Sequence, residues 1–212
     1  MAQISRPYST VEEYLWEEER AESKHEYYNG QVYNMAGGSP EHSALAVNLT
    51  AELRAGLRGR DCQVFNSDLK IAVAGDPRTK GQKRRQTDEF ITYPDASVFC
   101  GQLEFYKNDR QTLVNPTALF EVLSPSTRNY DRSTKLEQYR KIPGLMTFIM
   151  LDSARVWVEQ YYRASSDSWQ VDTPLEDLAA SLHLKALEII IPLTALYEGI
   201  SLEVEVDGPE NE

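Results

Sequence analysis

TALFEVLSPSTRNYDRSTKLEQYRKIPGLMTFIML, residues 117–151, reads as a strand, a helix and a second strand in immediate succession. Thr117 to Leu123 is apolar on both faces apart from Glu121, the pattern of a central strand covered on both sides. SPSTRNYD is a loop, and Asp131 at its end can cap a helix over Arg132 to Lys141 that Pro143-Gly144 stops. Leu145 to Leu151 then returns to a buried strand.

The flanking segments extend the same pattern. Upstream, Cys62 to Val73 and Glu89 to Cys100 read as β segments. Before them Gly37-Gly38 breaks the chain, Ser39 can cap and Pro40 suits a first helical position, so a helix runs to about Arg58 with Leu45, Leu49, Leu53 and Leu57 on one stripe. The glycines are not a phosphate-binding loop, because the Gly-Lys-Ser/Thr ending that such a loop needs is absent. At the start, Thr10 and Glu13 form a capping box for a helix ending near Ser23, and Asn29-Gly30 joins Lys24–Tyr28 to Gln31–Met35 as a type I′ hairpin. Downstream, Arg155 to Arg163 and Ser168 to Val171 look like partly exposed antiparallel strands, followed by Leu187 to Ile191 and a helical turn over Thr194 to Tyr197. There is no internal repeat. The expected fold is α/β, a mixed β-sheet core flanked by helices, with an N-terminal helix and β-hairpin.

At 212 residues without an obvious linker, the chain is expected to form a single domain over 1–206, with a loose acidic tail over 207–212. Nothing approaches eighteen consecutive apolar residues, and the first twenty residues are acidic and polar, so a cytoplasmic protein without a membrane partner is expected. Cys62 and Cys100 lie in strand-like runs and suit buried reduced thiols, and the absence of CxxC or HxxxH spacing argues against zinc. The formal charge of -11 argues against a protein that coats nucleic acid, but not against a nuclease whose basic contacts are local. One local patch exists: Arg78, Lys80, Lys83, Arg84 and Arg85 against Asp76, either a phosphate contact or a solvated loop.

The residues that carry chemistry are acids in apolar strands. Asp95 interrupts Tyr93 to Phe99, and Glu121 interrupts Leu119 to Leu123. An ionised carboxylate costs several kcal/mol or more to bury unless a cation or good donors compensate it. Two acids on neighbouring strands make a hard-oxygen site suited to Mg²⁺; the bland alternative is that each faces solvent at a sheet edge or pairs separately with an arginine.

The stretches EYYNGQVYNMAGGSPEH, ITYPDASV, LFEVLSPSTRNYDRSTKLEQYRKIPGL and FIMLD, in this order, resemble the "putative restriction endonuclease" family called Uma-two, of the PD-(D/E)XK nuclease superfamily, over about residues 10 to 200. The resemblance implies a restriction-endonuclease-like core in which Asp95 and Glu121 bind Mg²⁺ or Mn²⁺, and a lysine orients the water that hydrolyses a phosphodiester of nucleic acid, DNA in the first place. This sequence departs from the superfamily at the lysine, with Glu121-Val122-Leu123 where Glu-x-Lys is expected. The family supplies it from the following helix, and Lys135 occupies that position, with Gln138 and Tyr139 on the same helical face. Glu26, before the hairpin turn, also matches a family acid that can complete the metal shell, or is a surface glutamate. His42 matches a family position in the first turn of the second helix, where it contacts phosphate or water or merely caps. Asp68 could face the same site or solvent, and Tyr93, Trp157 and Tyr161 are packing residues.

A metal-dependent endonuclease acting as a homodimer, two copies of one site for two strands, is the reading these residues favour. Two others stay open: an inactive nuclease-fold domain that binds nucleic acid or protein, and an interaction module whose acids serve internal ion pairs.

Overall fold

The chain weaves two sheets by passing from one to the other and back. In the computed structural model, which describes residues 9–35, 37–73, 89–125, 127–165 and 168–202, β1 (His25–Tyr28), β2 (Gln31–Asn34), β4 (Lys70–Val73), β5 (Phe90–Thr92) and β7 (Thr112–Leu113) form one sheet in the order β2-β1-β5-β4-β7. The other sheet takes β3 (Cys62–Asn66), β6 (Ala96–Cys100), β8 (Ala118–Leu123), β9 (Thr147–Asp152), β10 (Val158–Ser165) and β11 (Ser168–Val171) in the order β11-β10-β9-β8-β6-β3. A pair of strands, β12 (Ser181–Leu184) and β13 (Ile189–Pro192), follows.

The local signals at the start of the chain act as expected. Thr10 and Glu13 close a reciprocal capping box on α1 (Val11–Glu18), and Asn29 (φ 51°) and Gly30 (φ 87°) take the left-handed conformations that a type I′ hairpin requires. The helix stops earlier than Ser23 because Glu18 turns inward, where its carboxylate receives the His25 N–H and the Tyr93 hydroxyl. Ser39 caps α2 (Pro40–Gly56), and Leu45, Leu49 and Leu53 of that helix are fully buried against Phe120 and Ile149 of the larger sheet.

Three expectations are corrected. Cys62–Val73 and Glu89–Cys100 are each two strands in different sheets, broken at the turn after Asn66 and at Tyr93-Pro94-Asp95. Proline cannot donate to a ladder, so Pro94 marks the second crossing, and Asp95 stands at a bend rather than within a strand. Cys62 and Cys100 are not thiols but a disulfide: β3 and β6 are antiparallel neighbours in a register that sets the two residues directly opposite, Cα atoms 4.0 Å apart. Asp131 does not cap a helix. The helical segment begins at α3 (Arg128–Tyr130), passes through a π-helical turn (Asp131–Lys135) and ends in α4 (Leu136–Tyr139), so Asp131 lies inside it and is buried.

This segment connects β8 to β9, which pair in parallel, and closes over the face of β8 that carries Leu119, Glu121 and Leu123. β7 and β12 had no strand expectation. Among the described residues no helix is long and apolar enough to cross a membrane. The basic stretch Arg78 to Arg85 and the tail from Asp207 lie outside the described residues.

Candidate active site

The crossing from β5 to β6 brings an acid to the place where the sheets part. β6 pairs with β8 as far as Ala96 opposite Phe120, so Asp95 arrives beside Glu121 and Val122, and its Oδ2 accepts the Val122 N–H at 2.7 Å. The same oxygen lies 3.4 Å from Nε2 of His42 in the first turn of α2. Gly38 leaves room for that ring: a Cβ at Gly38 would come within 2.5 Å of His42 Nδ1. Burial pulls the His42 pKa down, but the hydrogen bond and charge of Asp95 outweigh it and hold it above the ordinary histidine value.

Glu121 lies under the helical segment. Tyr139 donates its hydroxyl to Oε1 at 2.5 Å, and Lys135 Nζ donates to Oε2 at 3.1 Å. Lys135 Nζ also stands 3.2 Å from Glu26 Oε1 and 3.4 Å from Asp131 Oδ1, so one ammonium faces three carboxylates. Thr92 donates its hydroxyl to Glu26 Oε1. Glu26, Glu121 and Lys135 are 1%, 2% and 4% exposed, which makes their mutual pairing obligatory. Burial, the largest influence, lifts the Glu121 carboxyl well above the usual range; Lys135 opposes this, and Asp131 and Asp95 add to it. Asp131 is raised for the same first reason, again against Lys135. Burial works against charge on Lys135 too, but Glu121 and Glu26 overcome it and keep the ammonium protonated. Glu26 Oε2 and the Tyr130 hydroxyl are buried with no partner in hydrogen-bonding geometry.

Residues 11–195 match the model of the Uma2 family, described as "Putative restriction endonuclease". The chain belongs to this family. Two uncharacterized proteins of Synechocystis sp. resemble it: one is 34% identical over 196 residues, 92% of this chain and 94% of the relative. The other is 31% identical over 160 residues, 76% and 84% of the two chains. The crystal structure of "a putative nuclease belonging to DUF820" from Anabaena variabilis superposes with a TM-score of 0.65 over 89% of this chain and 97% of that one, at 18% identity, a likeness of fold. The restriction-endonuclease-like α/β core expected from the sequence is therefore the fold observed.

Of the residues singled out in this Uma2 chain, the structure brings Glu26, Glu121 and Lys135 into one buried cluster and Asp95 with His42 into a pair beside it. Asp68 goes elsewhere, to an exposed turn where Lys24 holds it at 2.7 Å. Asp131, Tyr139, Thr92 and Tyr130 also belong to the cluster. The spacing of Asp131 and Tyr139 four residues either side of Lys135 was a visible signal for the first two; nothing local marks Thr92 or Tyr130.

The donor set was tested against a divalent cation on charge. With all three ionised, one ammonium against Glu26, Glu121 and Asp131 would leave the interior with an excess of negative charge. A hard cation is one species that relieves such an excess, and protonation, which burial favours at Glu121 and Asp131, is the other. Among the described residues no three His, Cys, Asp or Glu side chains form a closed ligand group. Mg²⁺ is commonly held by one or two carboxylates, with water and substrate phosphate filling the remaining positions.

Proposed function

We propose that the chain is a metal-dependent endonuclease that hydrolyses phosphodiester bonds of nucleic acid, DNA in the first place, working as a homodimer. The observation that carries this reading is the buried Lys135 ammonium, 3.1 Å from Glu121, which supplies from a helix the cation that the strand position Leu123 lacks. Asp95 and Glu121 would hold Mg²⁺ or Mn²⁺. When bound, the cation lowers the pKa of a water and offsets charge building on the phosphate.

The chain's own groups do the positioning. Tyr139 fixes one oxygen of Glu121, and Lys135, held by Glu26 and Asp131, would turn one of its three N–H donors from a carboxylate to the attacking water. The water oxygen would form the new bond to phosphorus and give up its proton to solvent, the bond to the leaving oxygen would break with that oxygen taking up a proton, and the desolvated ammonium would offset the developing charge. His42, held by Asp95 at 3.4 Å, would in its protonated form attract phosphate.

The test is cleavage of a panel of DNA and RNA with Mg²⁺, with Mn²⁺ and with chelator, against Asp95→Ala. Metal-dependent cleavage lost in the variant is expected. Metal binding without turnover on every substrate would turn the reading towards an inactive binding domain.

A further inference from the structure

A cavity of about 500 Å³ opens between α1 and the turn from Tyr106 to Gln111. It lies on the far side of the five-stranded sheet from the candidate active site. Strand alternation defines the two faces: Glu26 and Thr92 share the face of Phe90, whereas Lys70 shares that of Ala72 and Ile91, against α1.

Lys70 lines this cavity with a side chain only 5% exposed. Its ion-pair partner among the described residues is Asp109, and the 4.0 Å from Nζ to Oδ2 is too long for a hydrogen bond. Asp109 is already engaged, accepting the Thr112 hydroxyl at 2.5 Å and the Gln111 N–H at 2.8 Å. A buried ammonium matched so weakly is costly unless something else meets it. The other carboxylates at the mouth have nearer cations: Glu12 has Lys107 at 3.0 Å, and Glu19 has Arg20 at 3.0 Å. Arg110 lies over the Phe105 ring at 5.3 Å, with no carboxylate within ion-pair distance among the described residues. The lining carries three cations, Lys70, Lys107 and Arg110, against three carboxylates, Glu12, Glu19 and Asp109, and of these cations Lys70 and Arg110 have no carboxylate in hydrogen-bonding contact among the described residues. Leu15 and Trp16 add apolar surface to the lining, and Trp16 is 61% exposed, with the Arg20 guanidinium 4.4 Å from its ring centroid.

We propose that this cavity binds a mononucleotide-sized organic anion, with its phosphate at Lys70 and Arg110 and its flat ring against Leu15 and Trp16. The volume falls within the range of small-ligand sites, and the Asn108 and Gln111 amides at the rim suit the polar edge of a heterocycle. The anion is either a free nucleotide or the 5′-phosphorylated end of an oligonucleotide.

Calorimetry with adenosine 5′-monophosphate, adenosine, inorganic phosphate and a 5′-phosphorylated oligonucleotide tests this. Work in chelator, repeated on Glu121→Gln, separates this cavity from the candidate active site and from the nuclease reading. The monophosphate should bind well above adenosine and phosphate alone, and Lys70→Met should weaken it by about tenfold or more, the loss of a charged hydrogen bond. Trp16→Ala and Arg110→Ser, both at exposed positions that leave the fold intact, should each weaken it as well. Binding of the oligonucleotide alongside the monophosphate assigns the site to nucleic-acid ends, and binding of the monophosphate alone assigns it to free nucleotides. Equal affinity for adenosine and its monophosphate, or unchanged affinity in the Arg110 and Trp16 variants, overturns the proposal.

Discussion

Lys135 carries its charge into the interior because Glu26, Glu121 and Asp131 meet it there within 3.4 Å. If it positions the attacking water, Lys135→Ala should keep metal affinity, since both proposed ligands remain, and lose cleavage rate by a factor of about 10² or more. Single-turnover cleavage and metal titration on the folded variant separate the two effects, and a variant that cuts as fast as the parent would refute the role. Glu121 makes the complementary prediction. Its folded-state pKa is raised, chiefly by burial, so in metal-free buffer the native state keeps a proton that the unfolded chain has already released. Stability contributed by the protonated form is present below about pH 4.5 and is lost as pH climbs towards the raised native value. Glu121→Gln cannot lose that proton. At pH 8 without metal it should be more stable by about 1 kcal/mol, roughly 2–4 °C in melting temperature, while cleavage falls. A variant melting below the parent across pH 5–8 would contradict this.

At the scale of elements, the π-helical turn and the disulfide do what neither a plain helix nor a plain strand would. The turn Asp131–Lys135 buries both of its charged ends on one cluster, within a segment that must also seat Tyr139 under β8. Such turns carry an extra residue at a cost in hydrogen-bond geometry and recur at functional sites. The Cys62–Cys100 bond ties β3, the edge of the larger sheet, to β6, the strand that leads directly from Asp95. It closes a loop with a sequence separation of 38, so reduction, or replacement of both cysteines by serine, should cost about 2–4 kcal/mol. Urea titrations with and without dithiothreitol measure this, and coincident midpoints would show that the bond adds no stability.

At the scale of the whole molecule, a net charge of -11 must coexist with an approach to phosphate. The acids of the candidate site itself, Glu26, Glu121 and Asp131, are buried beside Lys135, and under the proposed function a divalent cation would offset them further. Cutting both strands of a duplex by one buried site per chain calls for two chains related by a two-fold axis. Light scattering at assay concentration should therefore give twice the chain mass, with double-strand breaks as product. A monomer that only nicks would remove the dimer from the mechanism.

Local physics was legible in the sequence by itself. The capping box at Thr10, the Asn29-Gly30 turn, the leucine stripe of α2 and the lone acid of β8 each declare themselves through residue type and spacing, because each depends on neighbours within one or two turns of chain. The family resemblance added Lys135, Glu26 and His42, and the structure sets Lys135 between Glu26 and Glu121 and His42 beside Asp95. What required tertiary structure was partnership. The period-two alternation of a strand shows which residues share a face, but not which strand lies alongside. That is why the sharing of 62–73 and 89–100 between two sheets, the pairing of Cys62 with Cys100, the hydroxyl of Thr92 on Glu26 and the burial of Asp131 could not be read in advance: each depends on which distant segment the folded chain places beside it.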